Sequence, residues 1–326
     1  IFNMVTDIRV NPVGYVLVVI LVIITLSLFS FSKKLVSKIN FEMSGRTQQT
    51  ERIKLLTIRQ TIWIYLFLGV IIFIALLPHL AVILTSITKR WFMTILPEEI
   101  TFQHYQSLFQ HKLTLLSIKN SLLLSSLSTL LDIILGLTIA YLVLRQKIWG
   151  SDLLDMLAML PLALPGLIIA FGYVGSFSGT FLDPRQNPIP LLIISYAIRR
   201  LPYLLRSVYA GIQQTSRVLE EASLNLGASV VYTIRKITTP LIMAHLLAGA
   251  ILAFSFAMLE VSDSLILAMQ EKYYPITKAI YILFGRIADG AYIASAMGVL
   301  GMILLTISLL IAGKFLGKKM GELFKV

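Results

Sequence analysis

The sequence predicts an all-α membrane protein, on three observations. Charged residues are 13% of the 326-residue chain and hydrophobic residues 57%, with a mean hydropathy of +0.85. A soluble domain carries about 25% charge. Seven apolar segments approach or exceed the ~20 residues that a helix needs to cross a bilayer: 13–32, 61–87, 120–144, 153–176, 189–211, 241–259 and 292–313. Backbone polar groups in lipid must be satisfied within the segment, so these are helices rather than open strands.

The net charge of +12 follows position rather than forming a nucleic-acid-binding patch. Between the spans, Lys and Arg alternate in density. Segments 33–60, 145–152, 212–240 and 314–326 hold 16 of them, against 9 in 1–12, 88–119, 177–187 and 260–291. The richer set is expected on the cytoplasmic side, with residue 1 outside and the C-terminus inside. The chain has no cysteine, which excludes disulfides, thiolate metal sites and Cys nucleophiles, and its four histidines are scattered. No metal centre is expected. It opens at Ile1 without a charged n-region or cleavage site, so the expectation is a stretch of a longer polypeptide rather than a cleaved signal.

Within this pattern, 1–35 is one transmembrane helix, 36–60 a polar, basic linker, 61–313 a six-helix unit and 314–326 a cytoplasmic tail. The first helix ends Thr25-Leu26-Ser27-Leu28 before Lys33-Lys34, and the last ends Thr306-Ile307-Ser308-Leu309 before Lys314. Both run outside to inside. Helix 13–32 is therefore read as the last helix of a preceding, homologous half.

The stretch 215–240 has the physics of a short helix, a break and a second helix. Thr215 or Ser216 caps the first helix, and Glu220 and Glu221 suit the positive end of its dipole. Gly227 provides a left-handed stop, Ser229 the next cap, and Pro240 the start of the following span. A compact hairpin then projects from the membrane between two spans.

Glu221, Ala222, Gly227, Ile237 and Pro240 fall in the spacing Glu-Ala-Ala, three residues, Gly, nine residues, Ile, one residue, Leu-Pro. Ser223 and Thr239 depart from it, replacing the second Ala and the Leu. On these residues the chain resembles binding-protein-dependent ABC importer permeases of type I fold. Asn120-Ser121, Leu164-Pro165-Gly166 and Arg200-Leu201-Pro202 extend the likeness over 61–313. Among these permeases it most resembles the ferric-iron type, many of which fuse two six-helix halves. Phosphonate, thiamine and polyamine permeases share much of the pattern.

The resemblance implies a six-helix transmembrane domain plus one extra N-terminal helix, in a bacterial inner membrane. It implies three partners: a cytoplasmic ABC ATPase dimer, a periplasmic substrate-binding protein and a second permease half. This chain would bind no cofactor, the ATP belonging to the partner ATPase. The nearest phosphate-loop lookalike, Gly313 to Lys319, has the wrong spacing, lacks the Ser/Thr and follows a membrane helix. Glu220 and Glu221 would offer charge-assisted hydrogen bonds to the ATPase, while Ala222 and Gly227 allow close approach. No enzymatic constellation accompanies these features. A gradient-driven carrier working alone is the competing class.

Charges inside spans mark further candidates, because charge at bilayer depth is costly and usually paired or facing a water-filled path. Asp132, Arg199 and Arg200 fall near the middle of their spans at 1.5 Å per residue. Asp132 is expected to pair with one of the arginines, as a structural pair or as part of a path. Glu260 and Asp263 share a helical face. Counted along a continuous helix from Pro240 they reach the outer surface, as solvated carboxylates or as an acidic vestibule. Pro161, Pro165 and Gly166 interrupt segment 153–176, as in a path-lining broken helix or an ordinary membrane helix.

Overall fold

The computed structural model describes residues 16–17, 19–25, 27–28, 31, 56–91, 94, 96–97, 99–110, 112–146, 148–286 and 289–323. The described positions between 16 and 31 are helical. The rest of segment 13–32, and positions 36–55 of the expected linker, lie outside the described residues.

Among the other described residues there are twelve α-helices of four residues or more and a single helical turn at Thr239–Leu241, with two π-turns and a 3₁₀ turn, and no strand. Helix α1, Ile58–Ser86, starts on a capping box: Gln60 N donates to Thr57 Oγ1 at 3.5 Å, and Thr57 N donates to Gln60 Oε1 at 3.0 Å. It packs along one side of the final helix, and nearly all of its apolar surface stays exposed, as a lipid-facing helix requires. A short α2, Gln103–Gln110, precedes the long α3, Lys112–Tyr141, whose last turn passes into a π-helix at Leu142–Gln146. Together α3 and its π-turn span 35 residues, roughly 50 Å.

The span expected at 153–176 is not one straight helix. It is α4, Ser151–Ala163, and α5, Gly166–Phe177, bent by 109° at Leu164-Pro165. Proline disfavours the helical conformation in the residue before it, and Leu164 is extended (ψ 133°). By contrast, 189–211 is a single helix, α6, Ile189–Gln214, despite its three arginines.

The hairpin is α7, Arg217–Asn225, then α8, Val230–Thr233, a second π-turn at Ile234–Thr238 and a turn of helix at Thr239–Leu241. A bend of 82° leads into α9, Met243–Met258, which is only 16 residues long. The chain then returns through α10, Ser262–Leu267, a 3₁₀ turn at Glu271–Tyr273 and α11, Ile276–Phe284. It ends in α12, Gly290–Leu323, which carries helix through most of the segment expected as a tail.

The packed centre is α3, α6 and α9. Ser207 Oγ donates to the His245 carbonyl at 2.6 Å where α6 crosses α9, a polar contact of the kind that holds membrane helices together. Leu204, Leu205, Val208 and Ile212 of α6 are completely buried against α3, α4 and α9. Nearer the opposite end, Leu191, Leu192 and Tyr196 pack on Leu124 of α3 and Leu267 of α10. Among the described residues, three helices are long and apolar enough to cross a membrane, or five if each bent pair counts as one span.

Candidate functional site

Two clusters of charged side chains are organised by this fold. The first lies inside the bundle, where the chain breaks twice. Helix α5 begins at Gly166, directly against the Arg199 guanidinium, and a Cβ at Gly166 would overlap that group. Helix α9 stops at Met258, and the turn Leu259–Val261 swings Glu260 inward. Both breaks thus meet the same turn of α6.

There Arg200 is ion-paired with Glu260, and Arg199 Nη1 lies 3.4 Å from Asp263 Oδ1 and 3.7 Å from Glu260 Oε1. Ser195 Oγ donates to Asp263 Oδ2 at 2.5 Å. The return loop is fixed around Glu260: Asp263 N donates to its Oε1 at 3.3 Å, and Thr277 Oγ1 to its carbonyl at 2.6 Å. Glu260 is 2% exposed and Asp263 fully buried. The expectation of surface carboxylates at these two positions is therefore corrected. It assumed a continuous helix from Pro240, whereas the chain bends at Ile242 and stops at Met258.

The expected pairing of Asp132 is met only as proximity: Asp132 is fully buried in α3 within the field of Arg200, yet both its oxygens lack a hydrogen-bond partner among the described residues, and the ion pair of Arg200 is made with Glu260. Arg200 Nε is likewise buried without a partner there. Pro165, expected on the same path, caps the N-terminus of α5 at the break.

The opposite end of α5 is closed by a tight loop. Asp183 accepts from Gly179 N at 2.8 Å, Arg185 N at 3.0 Å and Arg185 Nε at 2.9 Å. The Arg185 guanidinium and these backbone amides hold the Asp183 carboxyl well below the usual carboxylate range. Gln270 Nε2 donates to the Arg185 carbonyl at 2.9 Å, tying this loop to the segment after α10. On that same side Asn120 Nδ2 donates to the carbonyls of Lys272 (3.0 Å) and Tyr274 (3.1 Å), and Ile276 N donates to Ser121 Oγ (2.8 Å). The pair Asn120-Ser121 thus pins the return loop to α3.

The second cluster is the hairpin. Ser216 caps α7 by accepting from Val218 N at 3.3 Å, and Ser229 caps α8 by accepting from Tyr232 N at 3.3 Å. Helix α7 ends in a Schellman motif, with Gly227 N donating to Leu224 O (2.9 Å) and Ala228 N to Ser223 O (3.2 Å). Gly227 has φ +88°, the left-handed conformation. Glu221, Ala222 and Gly227 are exposed beside Val218, Leu226 and Val231, which are 66%, 89% and 75% exposed. Among the described residues Glu221 pairs only with Arg217, at 3.0 Å on the surface. Ile237 is half-buried in the π-turn, and Pro240 sits in the first turn of the helical segment after it.

Glu220 differs from its neighbour. It is 4% exposed and turns inward, so the expectation that it meets a partner directly is corrected. Its Oε1 accepts from Arg145 Nε at 3.1 Å and from Thr238 Oγ1 at 3.2 Å. Arg145 Nη2 further donates to the carbonyls of Ile212 and Thr215, both at 3.0 Å, and to Thr215 Oγ1 at 2.9 Å. In the sequence Arg145 counted only towards the charge bias. Nothing local pointed to a partner 75 residues away.

The fold is thus an apolar helical bundle in which two interrupted helices meet at buried charges and from which a capped hairpin leaves. Residues 132–322 match the family described as binding-protein-dependent transport system inner membrane component, and the chain belongs to that family. It is 32% identical over 203 residues to the ferric transport system permease protein FbpB of Actinobacillus pleuropneumoniae, covering 61% of this chain and 29% of that protein. It is 28% identical over 192 residues to the molybdate/tungstate transport system permease protein WtpB of Pyrococcus furiosus, covering 59% and 74%. The chain thus spans less than a third of the ferric relative. The fold is similar to a chain in the crystal structure of a bacterial ABC transporter involved in the import of the acidic polysaccharide alginate, with a TM-score of 0.61 at 22% identity over 79% of this chain and 95% of that one.

Proposed function

We propose that this chain is a permease subunit of an ATP-driven importer, coupled to a separate cytoplasmic ATPase through the hairpin 215–240. The carrying observation is the hairpin itself: Glu221, Ala222 and Gly227 sit exposed beside unpartnered apolar side chains, on a scaffold closed by two caps and a Schellman turn. An exposed carboxylate next to apolar surface suits a groove that supplies both a basic group and apolar contact. In this reading ATP binds and is hydrolysed on the partner. A binding protein delivers cargo at the far side, and a second permease half completes the path. The hairpin lies in the cytoplasm, and the loops at 178–188 and 268–275 face outward. Segment 13–32 ends a preceding half, joined through 36–60, in keeping with the greater length of the ferric relative.

For the cargo we propose ferric iron. The ferric relative supports this. The test is ATP-driven uptake into vesicles holding the complex and its binding protein, comparing radiolabelled iron with radiolabelled molybdate. Accumulation of iron supports the assignment, and accumulation of molybdate alone overturns it.

A further inference from the structure

The two π-helical turns among the described residues meet at one carboxylate. Arg145 lies in the π-turn that ends α3, and Thr238 in the π-turn that ends the hairpin. Both donate to Glu220 Oε1, at 3.1 and 3.2 Å. Arg145 also holds the end of α6 through the Ile212 and Thr215 carbonyls. Three elements are therefore joined by one guanidinium and one carboxylate, with side chains 12% and 5% exposed. A π-turn is a strained insertion that occurs disproportionately at functional sites. Here one reaches the carboxylate through an ion pair and the other through a hydroxyl, and both hold the hairpin.

The packing beside this joint is one-sided. On one side it rests on the core formed by Tyr209, Ile212 and Ile242. On the other, a cleft of about 390 Å³ separates α3 from the hairpin, lined by Leu137, Tyr141, Leu142, Val230 and Ile234. Leu142 and Ile234 belong to the two π-turns. Close packing would make hairpin and bundle move as one block, and here a cleft replaces it. The polar joint is thus the main tie between α3 and the hairpin on this side.

We infer that Arg145, acting through Glu220, is a positioning residue that transmits movement of the hairpin to α3 and α6. This rests on the reading of the hairpin as the ATPase contact, and adds to it the element through which the displacement enters the bundle. Arg145 and Glu220 touch neither cargo nor ATP. Their part is to make the hairpin's rotation a rotation of the bundle, and breaking the pair should leave the ATPase bound but uncoupled.

The test uses the full complex in vesicles and compares binding-protein-stimulated with basal ATP hydrolysis, alongside uptake. Arg145→Met should still assemble and hydrolyse ATP at the basal rate, while stimulation and uptake fall by about tenfold, within the usual range of coupling between sites. Arg145→Lys keeps the charge but loses the guanidinium fork, and should give an intermediate loss. It carries the test if Arg145→Met does not assemble. A fall in stability with an unchanged ratio of stimulated to basal hydrolysis in Arg145→Lys would mean a merely structural role, and would overturn the inference. Glu221→Lys serves as the reference. Should it uncouple the complex while both Arg145 variants behave as wild type, the inference fails and the hairpin reading stands. Should Glu221→Lys also leave coupling unchanged, both fail.

Discussion

Arg200 of α6 and Glu260 of the turn after α9, 60 residues apart in sequence, form an ion pair inside the bundle, 12% and 2% exposed at their side chains. The pair exists because α9 is short. A helix continued past Met258 would carry residue 260 on towards the far surface, whereas the turn directs it back to α6. Removing one partner of a buried pair strands the other charge, which costs about 3–5 kcal/mol. Arg200→Met alone, or Glu260→Gln alone, should each destabilise the folded protein strongly in detergent unfolding experiments. The double variant should cost less than the two together. Simple additivity would show that the two side chains do not interact.

The neighbouring arginine makes a different demand. Arg199 occupies the space where a Cβ on Gly166 would stand. Gly166→Val should push the guanidinium off Asp263 and overpack the break between α4 and α5, at about 1–3 kcal/mol. Transport should fall sharply while the complex with the ATPase still forms, as co-purification would show. Wild-type uptake in this variant would mean the break is not part of the path.

Gly227 is required for its backbone rather than for space, since nothing lies within 4 Å of a Cβ built there and its φ is +88°. Gly227→Ala should cost about 1–2 kcal/mol from the left-handed conformation alone. Gly227→Asn, tolerated in that region, should cost less. Hydrogen exchange across 222–230 would read the loosening directly, with protection falling in the order Gly, Asn, Ala.

The loop at 178–188 carries a pH signature. Hydrogen bonds from the Arg185 side chain, then from the backbone amides of Gly179 and Arg185, keep Asp183 well below the usual carboxylate range. A depressed folded value stabilises the loop above the unfolded pKa of about 4 and loses that contribution as pH falls through the lower folded value. Between pH 7 and pH 4 the loop should therefore keep its order in the wild type. Asp183→Asn should be looser at every pH in that range. Hydrogen exchange of 178–188, corrected for intrinsic rates, distinguishes the two. Wild-type loosening that begins above pH 5 would contradict it.

Hydropathy made most of the architecture legible in the sequence. The spans at 61–87, 120–144 and 292–313 correspond to α1, α3 with its π-turn and α12, because an apolar run in lipid has few alternatives to helix. The hairpin was legible as well, since Ser216, Gly227 and Ser229 act locally and their caps depend on neighbours only a few residues away. What escaped was long-range. Whether Pro165 and Ile242 bend the chain a little or by 109° and 82° depends on what packs beyond them. So does the direction of Glu260. Glu220 and Glu221 are adjacent and chemically alike, yet one is buried against Arg145 and the other exposed, because only one side of α7 faces the bundle. The helical phase separates them, and composition does not.

The account rests most on the hairpin as the point of contact with an ATPase. The direct measurement is ATP-driven uptake by the reconstituted complex carrying Glu221→Lys, a change of an exposed residue whose only ion pair among the described residues is with Arg217 on the surface. The account predicts that uptake is lost while the permease remains folded, with its unfolding transition unchanged. Wild-type uptake driven by ATP in that variant would contradict it.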